Sequence, residues 1–255
     1  MVQKFKDNLR ELREQISWPE YIFWWAARIF MLMYIIQTFK GDHEWIDYLL
    51  PVVVGIGTFS VFLLRMIFPR KSLFARISFH LQTFISIMCV AGSAGNYFGL
   101  YSVNGTLHYD WILHVISGVP MTMLGYYLLV AMNGSKTKLT PQICACGSMG
   151  FSFIVIIAWE IFEYCGDYLF ADCNQRYNWE IVPEDPFYNF FMHSAAGTAQ
   201  LPLADTIVDM ATAFFVTIFT GVVLYIVLWR REKKSTVDSQ QSTEEQKEEI
   251  TAQTV

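Results

Sequence analysis

Runs of roughly twenty apolar residues recur along the chain at residues 21–39, 45–68, 77–98, 111–132, 143–164 and 206–229. About twenty residues is the length a helix needs to cross a ~30 Å hydrocarbon core, and inside lipid a helix satisfies all of its own backbone hydrogen bonds. The pattern predicts an all-α, polytopic integral membrane helical bundle with about six transmembrane helices. Composition agrees, with 54% of residues hydrophobic and 16% charged, where a soluble domain carries about 25% charged residues. Trp18, Trp24, Trp45, Tyr101, Trp111 and Trp229 fall near the ends of the runs, where interfacial anchors belong.

Charge alternates between successive connections. Basic residues precede the first run, fill the second connection (Arg65, Arg70, Lys71, Arg76) and the fourth (Lys136, Lys138), and follow the sixth run (Arg230, Arg231, Lys233, Lys234). The other connections are acidic or nearly free of Lys and Arg, with a lone Arg176 in the longest. By the positive-inside rule both termini are cytoplasmic. Three regions follow: an amphipathic cytoplasmic leader at 1–18, a transmembrane domain at 19–234, and a polar cytoplasmic tail at 235–255 that is expected to be disordered. The motif-bearing half of the membrane domain is 108–229, and its outer loop covers 171–204. In the leader, Val2, Phe5, Leu9, Leu12 and Ile16 form one helical stripe among basic residues. That stripe suits an interfacial helix or an ordinary leader equally well.

No basic stripe or zinc-finger spacing points to nucleic acid. The five cysteines lack metal-ligand spacing; Cys165 and Cys173 could bridge in an oxidising compartment, with free thiols the favoured state. Arg28 reads as a snorkelling side chain. Gly92, Gly95 and Gly99, with Ser93 and Ala94, read as close helix packing, and Asn96 could lend an amide to a site. Pro120 should kink the fourth span, relieved by Ser117 and Gly118. Asn104-Gly105-Thr106 is a glycosylation sequon or a turn.

Three runs each carry a pair of ionisable residues near one end. Asp110 and His114 are four apart, so they share a helix face ~6 Å apart along the axis. Glu160 and Glu163 close the fifth run; Asp205 and Asp209 open the sixth. The topology puts all three pairs at one level near the outer interface. Asp110 and Asp205 also stand where helix N-caps belong. His114, Glu160 and Asp209 lie about a turn deeper, where an unpaired charge costs roughly 2.5 to 3.5 kcal/mol. Five carboxylates beside one imidazole require shared protons or a cation, and the donor types suit a divalent metal ion.

The order Asp110-x-x-x-His114, Glu160-x-x-Glu163, Asp205-x-x-x-Asp209 resembles the YjdF-like family of uncharacterised bacterial inner-membrane proteins. It is more distantly similar to the VanZ-like family associated with teicoplanin resistance, whose pattern has an Arg before the final Asp and an Asn after it. Here Gln200 and Asp209 stand instead, which favours the YjdF-like likeness. The resemblance covers residues 110–221 and implies a multi-pass helical domain of the plasma (inner) membrane; it carries no reaction with it.

Three functions fit these residues. In the leading one, Asp110, His114, Glu160 and Asp209 bind a divalent metal ion, with Glu163 or Asp205 as general base. The enzyme would hydrolyse or transfer a group on a lipid-linked or envelope substrate. A transporter or proton-coupled carrier would use the same groups as a relay, and would need a polar path to the inner side. In a structural or accessory protein the carboxylates merely brace three helices.

Overall fold

Ser17 and Pro19 start the first long helix. The Glu20 carboxylate accepts the Ser17 backbone N–H at 3.2 Å, and Pro19 sits where its missing N–H costs nothing. The computed structural model describes residues 2–41, 45–100, 109–134, 137–170 and 201–253, except for the side chains of 2, 45–47, 167, 169–170, 201–205 and 238–253. Among these residues the regular elements are all helices. In chain order they are α1 (Val2–Gln15), α2 (Trp18–Thr38), α3 (Trp45–Gly57), α4 (Ser60–Ile67), α5 (Leu73–Arg76), α6 (His80–Tyr97), α7 (Tyr109–Asn133), α8 (Pro141–Phe170) and α9 (Leu201–Gln253).

Four of them contain stretches long and apolar enough to cross a membrane: Trp18–Thr38, Tyr109–Asn133, Pro141–Gly166 and Thr206–Val237. A fifth arises if α3 and α4, bent by 71° at a short break, make one span. The third apolar run becomes α6, which at 18 residues is less apolar than the others. Its surroundings explain this. α6 packs against α2, α3, α4 and α7, and its Gln82, Ser86 and Ser93 are buried against protein.

The second run is not the continuous helix its apolarity predicts. It breaks around Thr58, and Gln82 of α6 repairs the break from both sides. The Gln82 carbonyl accepts the Val61 N–H at 2.9 Å, and its amide donates to the Gly57 carbonyl at 3.1 Å. Arg28 points to the same place. Instead of snorkelling, it donates to the Thr58 carbonyl at 3.1 Å and lies 4.1 Å over the Phe59 ring. A guanidinium held by a freed carbonyl and an aromatic face gains more here than by stretching to an interface.

α1 docks beside α4. Arg65, buried, donates to the Glu11 carboxylate, to Asn8 Oδ1 at 3.3 Å and to the Ile77 carbonyl at 2.6 Å. Lys4 donates to the Met66 carbonyl at 2.7 Å, so it caps the end of α4. Leu12 and Ile16 join a core built on Trp24, Val61, Ile77, Phe79 and Leu81. Trp24 is therefore not an interfacial anchor; it is 2% exposed, and its indole donates to Thr83 at 2.9 Å. Trp111 is likewise buried, whereas Trp18 and Trp229 are exposed as anchors would be.

α7, α8 and α9 pack against one another pairwise. Glycine sets how closely they approach. A Cβ at Gly118 would stand 2.8 Å from the Val216 side chain of α9, and one at Gly125 would stand 2.8 Å from Phe151 Cβ and 2.9 Å from the Ser148 carbonyl of α8. Of the residues expected to make close packing on α6, Ser93 and Gly95 are buried, whereas the other two glycines behave differently. Gly92 faces open space, and Gly99, at φ +66°, ends the helix in the left-handed conformation that glycine tolerates. Two boundary expectations also change. Leu201–Ala204 of the expected outer loop is helical, and the tail expected to be disordered continues α9 to Gln253. Its Glu, Lys, Gln and Ala residues are good helix formers. The Asn104 sequon, Cys173 and the loop at 171–200 lie outside the described residues.

Candidate functional site

The α7–α8–α9 triangle carries the acidic pairs at one end. α7 begins at Tyr109, whose hydroxyl donates to the Ala91 carbonyl and ties this end of α7 to α6. Asp110 then falls in the first turn and His114 one turn below it. α8 brings Glu160 and Glu163 to the same level from the opposite chain direction, and α9 brings Asp209.

The side chains meet at the imidazole of His114. Its Nε2 is 3.7 Å from Asp110 Oδ1, 3.8 Å from Glu160 Oε1 and 4.0 Å from Asp209 Oδ2. His114 and Glu160 are each 5% exposed and Asp209 only 1%. Donor atoms of His114, Glu160 and Asp209 lie within 4.8 Å of one another, and so do donor atoms of Asp110, His114 and Glu163. Glu163 stands at the rim, half-buried, and accepts a hydrogen bond from the Trp159 indole at 2.6 Å. Five of the six candidate residues thus share one end of the triangle. Asp205 lies on α9 one turn before Asp209, and its side chain is outside the described residues. Because α9 already begins at Leu201, Asp205 is not the N-cap its position suggested. Asn96 is exposed on α6.

The separations have a chemical meaning. At 3.7 to 4.0 Å the imidazole is too far from these three carboxylates for direct hydrogen bonds, which end near 3.2 Å. Two donors on one ion at ~2.1 Å, at right or tetrahedral angles, stand about 3.0 to 3.4 Å apart. Closing the inner trio onto an ion therefore needs the donors around His114 to approach by about 0.3 to 1 Å, and any pair at the 4.8 Å limit by somewhat more. The imidazole and carboxylate donors gathered here are of the types that bind a divalent cation.

Below the cluster the triangle holds buried hydroxyls, but they do not form a chain. Ser117 donates to the His114 carbonyl at 2.8 Å, Thr122 to the Gly118 carbonyl at 2.7 Å and Thr220 to the Val216 carbonyl at 2.8 Å. Each is tied to its own helix. Ser152 and Thr217, 2.9 Å apart, make the one hydroxyl pair between helices among the described residues. Two supporting residues were missed from the sequence. Trp159 was legible, being four residues before Glu163 on one face; the Tyr109 contact with α6 had no sequence signal.

Residues 20–230 match a family described as predicted membrane protein (DUF2238). Neither a curated protein nor a solved structure matches the chain.

Proposed function

Starting from the fact that the chain belongs to the DUF2238 family of membrane proteins, we propose that the α7–α8–α9 end is a divalent-metal site of a membrane enzyme. The observation that carries the reading is the trio of His114, Glu160 and Asp209, whose donor atoms lie within 4.8 Å of one another, with Asp110 3.7 Å from the same imidazole nitrogen. His114, Glu160 and Asp209 are the inner ligands, with Asp110 the fourth. A bound ion would supply the positive charge needed to polarise a phosphoryl or acyl oxygen. Glu163, at the rim, and Asp205, one turn further out on α9, are the candidates for moving a proton to or from a substrate.

In this reading the protein has six spans, formed by α2, the bent α3–α4 pair, α6, α7, α8 and α9. Both termini are cytoplasmic, and the metal site faces outward from the inner membrane. The substrate is a lipid-linked or envelope molecule that reaches the site from the outer leaflet. The likeness of the motif order to YjdF-like and VanZ-like proteins belongs to the same proposal. Carrier function is less well supported, because most hydroxyls below the cluster donate to their own helices and offer no continuous relay.

Elemental analysis of the purified full chain tests the metal. About one equivalent of a divalent ion is expected in wild type and its loss in His114→Ala, Glu160→Ala and Asp209→Ala. A wild type that stays metal-free after incubation with Mn²⁺, Zn²⁺ and Mg²⁺ would end the proposal. Substrate flux in proteoliposomes would favour the carrier.

A further inference from the structure

At the opposite end of the bundle, α1, α5, the end of α7, the turn before α8 and the middle of α9 enclose an open cleft of about 1020 Å³. Seven cationic side chains and three acidic ones line it. The positive-inside bias explains why such loops are basic, but not why their charges converge on one cavity.

The pairing inside the cleft decides what is left over. All three acids are engaged by cations of the same cleft: Asp7 by Arg70, Glu11 by Arg65 and Glu232 by Lys138 at 2.7 Å. Lys4 is occupied with the carbonyls that end α4, and Arg10 reaches Asp7 and Glu14 at 3.9 and 4.0 Å. Arg76 and Arg231 remain. Both are exposed, and neither meets a carboxylate among the described residues.

Arg76 is also positioned. Its guanidinium lies on the turn that ends α7, where a Cβ at Gly134 would collide with Nη1. Gly134 itself has φ +53°, so this residue both makes the turn and leaves room for the fork. The alternative role for Arg76 is to cap the last carbonyls of α7, yet among the described residues it donates no hydrogen bond to them. Arg231, on α9, lines the same cleft, as does Tyr126 of α7.

Two uncommitted guanidinium groups on separate elements, facing one cavity, match the planar, bidentate recognition of a phosphoryl group. The volume far exceeds that of free phosphate and is in the range of small-molecule sites. We propose that this cleft binds a phosphate-bearing anion through Arg76 and Arg231, separately from the carboxylate site. The phosphoryl group could belong to an anionic lipid headgroup, since the apolar part of α9 reaches the cleft at Leu228, or to a soluble nucleotide or polyphosphate.

The test uses the full chain, folded in neutral phosphatidylcholine nanodiscs. One arm counts phosphatidylglycerol retained by native mass spectrometry; the other titrates pyrophosphate and ATP by calorimetry. Saturable binding in at least one arm is expected, weakened at least tenfold in the Arg76→Gln/Arg231→Gln double variant and unchanged in Lys71→Gln/Arg230→Gln, which removes equal charge outside the cleft. Circular dichroism and thermal unfolding confirm that both variants are folded; if the double variant is not, Arg231→Gln alone is used. Binding in the first arm identifies a lipid ligand, and in the second a soluble one. No saturable binding in either arm, or equal losses in the two double variants, overturns the proposal.

Discussion

Gly118→Ala tests whether helix packing positions the acidic cluster. The new Cβ would lie 2.8 Å from both Cβ and Cγ1 of Val216 and 3.3 Å from the Ala213 carbonyl. Carbon atoms at rest stand ~3.5 to 4.0 Å apart, so α7 and α9 must part by about 1 Å. One turn above, that displacement acts on the 4.0 Å separation of His114 and Asp209 and opens it to about 5 Å. An ion that needs donors about 3.0 to 3.4 Å apart then loses one ligand. Metal affinity should fall at least tenfold, as it does when the support of a ligand is removed. Overpacking costs about 1 to 3 kcal/mol, more than the 0.5 to 1 kcal/mol that Ala gains over Gly in a helix. Mn²⁺ titration followed by paramagnetic resonance, alongside thermal unfolding in the same detergent, reads both effects. Gly92→Ala, which faces open space, is the control and should be neutral or slightly stabilising. A Gly118→Ala protein that binds Mn²⁺ as tightly as wild type would refute the coupling between packing and site.

Other perturbations read other parts of the structure. Gln82→Leu orphans the Val61 N–H and the Gly57 carbonyl at the helix break and should destabilise the fold by about 2 to 5 kcal/mol in denaturant unfolding; a loss under 1 kcal/mol would show that the break is satisfied another way. Arg65→Met removes three hydrogen bonds, two of them to α1, worth about 2 to 3 kcal/mol together. Limited trypsin digestion within α1 should accelerate by roughly 30- to 150-fold, and an unchanged rate would mean that the apolar contacts and the Lys4 and Asp7 contacts hold α1 without Arg65. Trp159→Phe keeps the ring but deletes the indole donor to Glu163. If Glu163 acts on substrate, turnover should fall about fivefold to tenfold with metal content unchanged, and loss of the metal instead would place Glu163 among the ligands.

What the sequence made legible was local. Asp110 with His114, and Glu160 with Glu163, share faces because helical periodicity needs no knowledge of neighbours. Alternating chain direction then brings the pair-bearing ends of α7, α8 and α9 to one level. The departures inside the bundle depend on residues far apart in the chain. The second run breaks where Gln82, more than twenty residues later, can satisfy the freed groups, and nothing near Thr58 announces that partner. Trp24 is as plausible an interfacial anchor as Trp18 until α6 offers Thr83 to its indole. Among the glycines, small-residue clustering pointed to α6, whereas the approaches of α7 to its neighbours are set at Gly118 and Gly125, each isolated in an apolar run. Small size is visible in a sequence, but which face a neighbouring helix will occupy is not.

The most direct test of the central claim is pulsed electron spin-echo spectroscopy of the full chain loaded with one equivalent of Mn²⁺. The account predicts modulation from one directly bound imidazole nitrogen, abolished in His114→Ala and retained in His80→Ala, since His80 lies on α6 against Glu20. Bound Mn²⁺ without nitrogen modulation, or modulation that survives His114→Ala, would place the ion elsewhere and contradict it.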